Sequence, residues 1–464
     1  MSFAYDEVPY DTEANPEAHP RSMATLGRLF GIETAPPSTA RVLEIGCGDG
    51  EHMIGAASYL PGAAFVGFDL SREAVARGVA IAEASGAQNV AIHARDVRDV
   101  RATSAFGVFD YVVAHGVYSW VPEPIRADVL AVIRASLAPS GVAFLSVNAL
   151  PGWELRRALR VLMREAAAAH ADPAAKVTAA LALVDDLAAL TGEGFTAVLA
   201  EAAREYRAHV TRATPPDAPF SRYVFHDLLA YCNDPFSAAE LEARARGAGL
   251  AIVCETPLFA SRARAPALPG GIAAEMERTG SPFLQVLLCR DDVARRAEPD
   301  VAAIEAMHLW ADLAPADAGV HRTTTGALLR AAEGSALARA ALAAPGFVAV
   351  RDLADGEERT KLAHDLFVAS CEGILSIATE PAPIAGAGEK PRVAPHVRAR
   401  AASAVARGAE SAVLTSALHR SFRVPRGELA VIAALDGATS PSPRDAGVVD
   451  RFARHGFFLA GDGS

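Results

Sequence analysis

Cysteine is scarce and scattered. The five residues, Cys47, Cys232, Cys254, Cys289 and Cys371, form no Cys-x-x-Cys pair. That spacing excludes a zinc ribbon and a disulfide framework and reads as reduced thiols. No metal site is expected. No uninterrupted apolar run is long enough to cross a bilayer, so no membrane span is expected. Residues 1–15 are acidic and have no apolar signal-peptide core, which predicts a cytoplasmic protein. Basic residues are outnumbered: 44 Lys and Arg stand against 55 Asp and Glu, a net charge of −11. Broad nucleic-acid binding needs basic surface and is not expected. No helical repeat of fixed period occurs. What remains is a chain of 464 residues, 51% apolar and 21% charged. It is too long for one core and too apolar for extensive disorder, so several globular domains are expected.

The most informative stretch is Arg41-Val42-Leu43-Glu44-Ile45-Gly46-Cys47-Gly48-Asp49-Gly50. Val42, Leu43 and Ile45 read as a buried strand. Gly-x-Gly-x-Gly then allows a tight turn and close backbone approach to a ligand. Met53, Ile54, Ala57 and Leu60 mark a following helix. Strand, glycine turn and helix make the dinucleotide-site layout, although the glycines are spaced G-x-G-x-G and not G-x-G-x-x-G. Here, however, Glu44 and Asp49 flank the turn. They would repel a pyrophosphate and welcome an ammonium or sulfonium group, such as that of S-adenosylmethionine.

Three further units follow in register. Residues 64–71 form a second strand ending at Asp69, 19 residues after Gly50. A carboxylate there can accept from both ribose hydroxyls. Ser71 caps the next helix. A third strand ends at Asp96, placed to hold an adenine amino group, and a fourth (residues 109–117) ends at His115. Tyr10, Glu44, Gly46, Cys47, Gly48, Gly50, Asp69, Leu70, Asp96, Val97 and His115 make up the expected cofactor set. The plainer readings are a packing role for Cys47, which has no activating partner in sequence, and a satisfied strand position for His93. His115 stands between ligand contact and backbone partner. Tyr118 and Trp120 are either core aromatics or walls of a reaction pocket, and their place after the fourth strand favours the wall.

A helix over 125–137 and a strand over 142–148 complete this region. Pro151-Gly152-Trp153 turns the chain away. Two more strands are expected at 251–255 and 283–289, which makes the residues between mainly a helical insertion. The expected organisation is 1–150 for a Rossmann-like binding domain with an N-terminal arm, 151–215 for the insertion and 216–300 for a region completing the sheet. A helical accessory domain (301–380), a Pro/Gly/Ala-rich linker (381–395) and a small C-terminal domain (396–464) follow. Residues 5–10 read as extended. Helices are expected at 328–342, 357–376, 401–418 and, last, 428–435.

Together the ordered units resemble class I S-adenosylmethionine-dependent methyltransferases. Tyr5-Asp6…Pro9-Tyr10, residues 115–122, Asn148-Ala149-Leu150-Pro151-Gly152-Trp153 and Phe225-His226-Asp227 narrow the likeness. They resemble bacterial enzymes with a methyltransferase regulatory domain, among them rickettsial-type protein-lysine methyltransferases. Asp227 stands where that group often has Glu. The resemblance implies an α/β fold: a Rossmann-like methyltransferase sheet, a helical insertion used for dimerisation, and mainly helical C-terminal domains that help hold a protein substrate. It implies methyl transfer to lysine by in-line displacement. Tyr118, Trp120 and Trp153 are then aromatic candidates for the acceptor pocket. His115 and His226 are candidates to relay its proton, with bulk water as the alternative. Two other readings stay open: a methyltransferase for a small metabolite or natural-product peptide, and a non-catalytic scaffold that keeps the fold.

Overall fold

The computed structural model describes residues 4–459 apart from 11, 104–105, 215–217, 219, 260–279, 312, 318, 324–326, 333 and 343–345. Seven strands build its main sheet: β1 (Arg41–Ile45), β2 (Ala64–Asp69), β3 (Val90–Ala94), β4 (Phe109–Ala114), β5 (Leu137–Asn148), β6 (Leu250–Glu255) and β7 (Phe283–Arg290). Their spatial order is 3-2-1-4-5-7-6. β7 runs antiparallel to both neighbours, pairing Val142 with Cys289 through to Asn148 with Phe283 on the β5 side. The other pairs are parallel.

The strands are apolar runs because both sheet faces are covered. Val42, Tyr111, Val113 and Phe144 pack under helices Pro20–Leu29 and Glu51–Ala57. Leu43, Val112, Leu145 and Leu288 pack under Glu123–Ser136 and Ala238–Gly247. Each buried aliphatic side chain contributes about 1.5–3 kcal/mol. Strand order reverses between β1 and β4, so a crevice opens beyond their carboxyl ends.

Between β5 and β6 lie helices Glu154–Ala167, Pro173–Ala188 and Phe195–Ala213, followed by the short Arg222–His226. They enclose their own core of Leu159, Met163, Val177, Val184, Tyr206 and Val210. Among the described residues no helix is long and apolar enough to cross a membrane.

Several sequence expectations change. The extended segment expected at 5–10 begins as a helical turn, Ala4–Glu7. The helix expected at 328–342 is a strand, Leu328–Arg330, then a helix confined to Ala336–Leu342. Gly334 in the left-handed region separates them. The helix at 357–376 stops at Cys371. Gly373 turns the chain, and Leu375–Ala378 pairs with His308–Ala311. The helix at 401–418 is shifted to Pro395–Ala406. Gly408 ends it, and Ser411–Thr415 becomes a strand paired with Ser421–Pro425. The helix expected last, at 428–435, is Arg426–Ala434, and Ala446–Arg454 follows it, burying Val449 and Phe452. At 328–342 and 401–418 alanine's helix propensity misled: left-handed glycines and cross-strand partners outweigh about 0.5 kcal/mol per residue. Among the described residues the C-terminal part thus combines helices with three small antiparallel sheets. Segment 381–395 is packed against it: Val393 and Ala394 are buried, and Arg392 and Val393 bridge to Asp436 and Phe458.

Candidate functional site

The turn after β1 is built from backbone that only glycine adopts freely. Gly46, Gly48 and Gly50 have φ of 68°, 56° and 73°. The amides of Gly46 and Cys47 donate to the Phe68 carbonyl at 2.8 and 3.1 Å, hooking the turn onto β2. Asp69, at the end of β2, accepts from the Gly48 amide at 2.9 Å and the Ser71 amide at 2.8 Å. Its carboxylate therefore ties the turn to the start of helix Arg72–Ala84, which Ser71 caps.

Acids surround this turn. Glu44 is 6% exposed, and its Oε2 has no hydrogen-bond partner among the described residues. Burial pushes its carboxyl well above the usual carboxylate range, and the neighbouring charges of Asp49 and Asp69 push it further. Burial likewise raises Asp69. Ionising a buried carboxyl with an unpartnered oxygen is costly, so the cradle is primed for a positively charged guest that stabilises the ionised form.

The N-terminal arm lies across the crevice. Ser71 donates its hydroxyl to Asp6 at 2.5 Å, and Thr12 donates to Asp49. Asn15 donates its side-chain amide to Gln285 at 2.8 Å and its backbone amide to His52 at 3.3 Å. Tyr5 stacks on His226 with centroids 4.4 Å apart, and Tyr10 meets the same ring edge-on at 5.4 Å. His226 donates Nε2–H to the Val8 carbonyl at 2.7 Å, while its own carbonyl accepts from the Trp120 indole at 3.1 Å. The rings of Tyr5, Tyr10 and Phe225 thus gather around His226, with Trp120 tied to its backbone.

His115 stands at the end of β4, 3.0 Å from the Ser146 hydroxyl. Burial lowers it to about 4, and lowers His226 to about 4 as well. Both imidazoles are neutral at pH 7.

The remaining expected residues stand in different settings. Tyr118 is 1% exposed and packs on Phe236 at 5.2 Å, so its ring is a core side chain and not an open wall. Trp153, also 1% exposed, belongs to the core of the helical insertion. Aromatic size favoured burial at both positions. Asp96 is held by its neighbour Arg98 at 2.6 Å, and that hydrogen bond lowers its carboxyl. Val97 starts helix Val97–Thr103, and Leu70 is exposed beside Asp69. Cys47 is buried, with its thiol pushed well above the ordinary range by burial and then by Glu44, which rules out a thiolate nucleophile. His93 stacks on Phe106. Sequence reasoning passed over Thr12, Asn15, Ser146 and Gln285. For the last two a signal existed, since each is a polar residue inside an otherwise apolar strand near its ligand-facing end.

Residues 43–143 match a protein-family model described as a methyltransferase domain. That segment is a methyltransferase domain. Two uncharacterized proteins of Rickettsia prowazekii are each 37% identical to the chain, over 160 and 159 residues. Those matches span 34% of this chain, but only 63% and 28% of the two relatives. The solved structure of PKMT2 from Rickettsia typhi in complex with AdoHcy has the same fold. It superimposes with a TM-score of 0.82, covering 97% of this chain and 100% of that one at 20% identity.

S-adenosylmethionine, the cofactor of such domains, fits the cradle by charge, and the turn itself depends on glycine. A cation answers the unpartnered Glu44 oxygen. A Cβ on Gly46 or Gly48 would come within 2.4 Å of Val117 Cγ2 or 2.7 Å of Thr12 Cγ2, so only glycine keeps the methyltransferase turn tight. Ligand binding is also linked to protons. Glu44 starts with a raised pKa, and a cation beside it stabilises the ionised form. Binding at pH 7 is therefore expected to release protons, and affinity to rise with pH until the free-state pKa is passed. Calorimetry in buffers of different ionisation enthalpy measures this; a buffer-independent heat contradicts it.

Proposed function

We propose that the chain is an S-adenosylmethionine-dependent methyltransferase whose acceptor is a lysine side chain of a protein. One observation carries the reading: the arm that lies over the acid-lined glycine cradle packs Tyr5 and Tyr10 on His226, whose backbone carbonyl holds the Trp120 indole. S-adenosylmethionine supplies a methyl group on a cationic sulfur, open to in-line displacement. The protein's task is to hold the acceptor nitrogen collinear with that bond. A lysine must be neutral to attack, and from a reference pKa near 10.4 this costs about 4.6 kcal/mol at pH 7. A desolvated pocket lowers that pKa, and aromatic faces accommodate the methylated ammonium.

His115 and His226, both depressed to about 4, are poor stores for the acceptor's proton. They act as positioning groups: His115 through Ser146, His226 through Val8 and the arm. The proton leaves to water. The likeness to rickettsial-type protein-lysine methyltransferases supports the choice of acceptor, as do the large regions beyond the sheet.

The arm's cover over the crevice favours a second reading, a small acceptor admitted whole. Incubation with methyl-labelled cofactor and bacterial lysate separates the two. Label on lysine in a protein band is the expected result; label confined to small molecules selects the second reading.

A further inference from the structure

The helix that leaves the glycine turn is gripped at its start from the far end of the chain. Glu51 and His52 are its first two residues. The Glu51 side chain is 2% exposed, and its Oε2 meets the Arg400 guanidinium at 2.6 Å. Its Oε1 has no hydrogen-bond partner among the described residues, so Arg400 provides the compensating charge. His52 Nδ1 lies 2.9 Å from His419 Nε2, with the rings nearly perpendicular. The Asn15 amide donates to the same Nδ1 at 3.3 Å. That nitrogen is therefore the acceptor, and His419 donates to it. The other side of the His52 ring bonds the Ala18 backbone.

One imidazole thus joins three parts: the helix after the turn, the arm that covers the crevice, and the C-terminal region. His419 is held for this contact. Among the described residues it is the one non-glycine with positive φ, at 57°. Its segment is fixed on both sides: Arg21 donates to the Ala417 carbonyl at 3.4 Å, Tyr59 to the Thr415 carbonyl at 3.4 Å, and Ala417 donates its amide to the Gly456 carbonyl at 3.0 Å. A strained residue anchored this firmly is a place where a fold invests in geometry.

We infer that Arg400 and His419 are positioning residues for cofactor binding: they set the first turn of the helix that Asp49 and Gly50 lead into, and through His52 they set the arm. The inference rests on the cofactor assignment proposed above. Ordinary packing between domains would be satisfied by contact anywhere along helix Glu51–Ala57. The two polar contacts instead fall on the two residues adjoining the glycine turn, and Arg400 reaches a buried carboxylate that would otherwise lack a charged partner.

The test uses the full chain and titration calorimetry with S-adenosylmethionine. Arg400→Gln removes the charge that offsets Glu51. His419→Asn keeps a residue that tolerates left-handed backbone but is too short to reach His52. In both, Kd is expected to rise about fivefold or more, in the usual range of coupling between sites. Arg400→Lys restores the charge and is expected to recover most of the affinity, which a general loss of packing would not predict. Folded Arg400→Gln and His419→Asn proteins that bind like the wild type overturn the inference and leave the cofactor assignment standing. A wild-type chain that binds no S-adenosylmethionine overturns both. Should the variants fail to fold, the wild type decides by reciprocity. Saturating cofactor is expected to slow amide exchange in residues 396–420, and unchanged exchange there overturns the inference.

Discussion

Gly46→Val is expected to weaken S-adenosylmethionine binding by roughly 30-fold or more and to lower the melting midpoint. Gly46 sits at φ 68°, where a β-branched residue is a steric outlier. Holding valine there costs about 1–3 kcal/mol in backbone strain. The new Cβ would also lie 2.4 Å from Val117 Cγ2. Val117 is itself β-branched and stiff at χ1, so it yields little. Overpacking of this kind adds about 1–3 kcal/mol. The turn escapes both penalties only by leaving the Phe68 carbonyl that the Gly46 amide now bonds at 2.8 Å, and then the cradle loses its shape. A combined cost of about 2–6 kcal/mol corresponds to at least roughly a 30-fold loss of affinity. Calorimetry and thermal melting measure the two effects; wild-type affinity in a folded variant contradicts the placement of the cofactor.

Asp69→Ala is expected to weaken cofactor binding by about 3 kcal/mol, roughly 150-fold. The structure alters the reason for this. Asp69 faces the crevice, but its two oxygens also accept from the Gly48 and Ser71 amides. Removing it cuts two charge-assisted bonds that hold the glycine turn against the helix cap. Asp69→Asn keeps one acceptor oxygen, so an intermediate loss is expected. If Asp69→Asn were as weak as Asp69→Ala, the charge would matter more than the geometry. If both bound normally, Asp69 would have no part in the site.

Much of the fold was legible because its information is local. Val42, Leu43 and Ile45, then three glycines, then Met53 and Ile54 spell strand, turn and helix within a few residues. The alternation of such units with acids at strand ends makes a parallel sheet with a crevice. The apolar runs before Glu255 and Arg290 stand as strands in the same sheet. Legibility fell where alanine content was high and the deciding contact was distant. Residues 375–378 and 411–415 became strands because partners at 308–311 and 421–425 offered backbone hydrogen bonds. Propensity, the weaker effect, had pointed to helix.

At the site the division is similar. Glu44, the glycines and Asp69 are contiguous or in register, and sequence order alone brings them to one turn. Asn15 reaches Gln285 across 270 residues, and Glu51 reaches Arg400 across 349. Aromatic identity marked Tyr118, Trp120 and Trp153 alike, yet burial sent Tyr118 and Trp153 into cores and left Trp120 beside His226. By itself the sequence determined the sheet, the turn and the sign of the charge around it, because these follow from residue types at short spacing. Only the tertiary structure decided which distant side chains cover, pair with and brace that turn. Such contacts depend on which surfaces bury each other, and chain spacing carries no record of that.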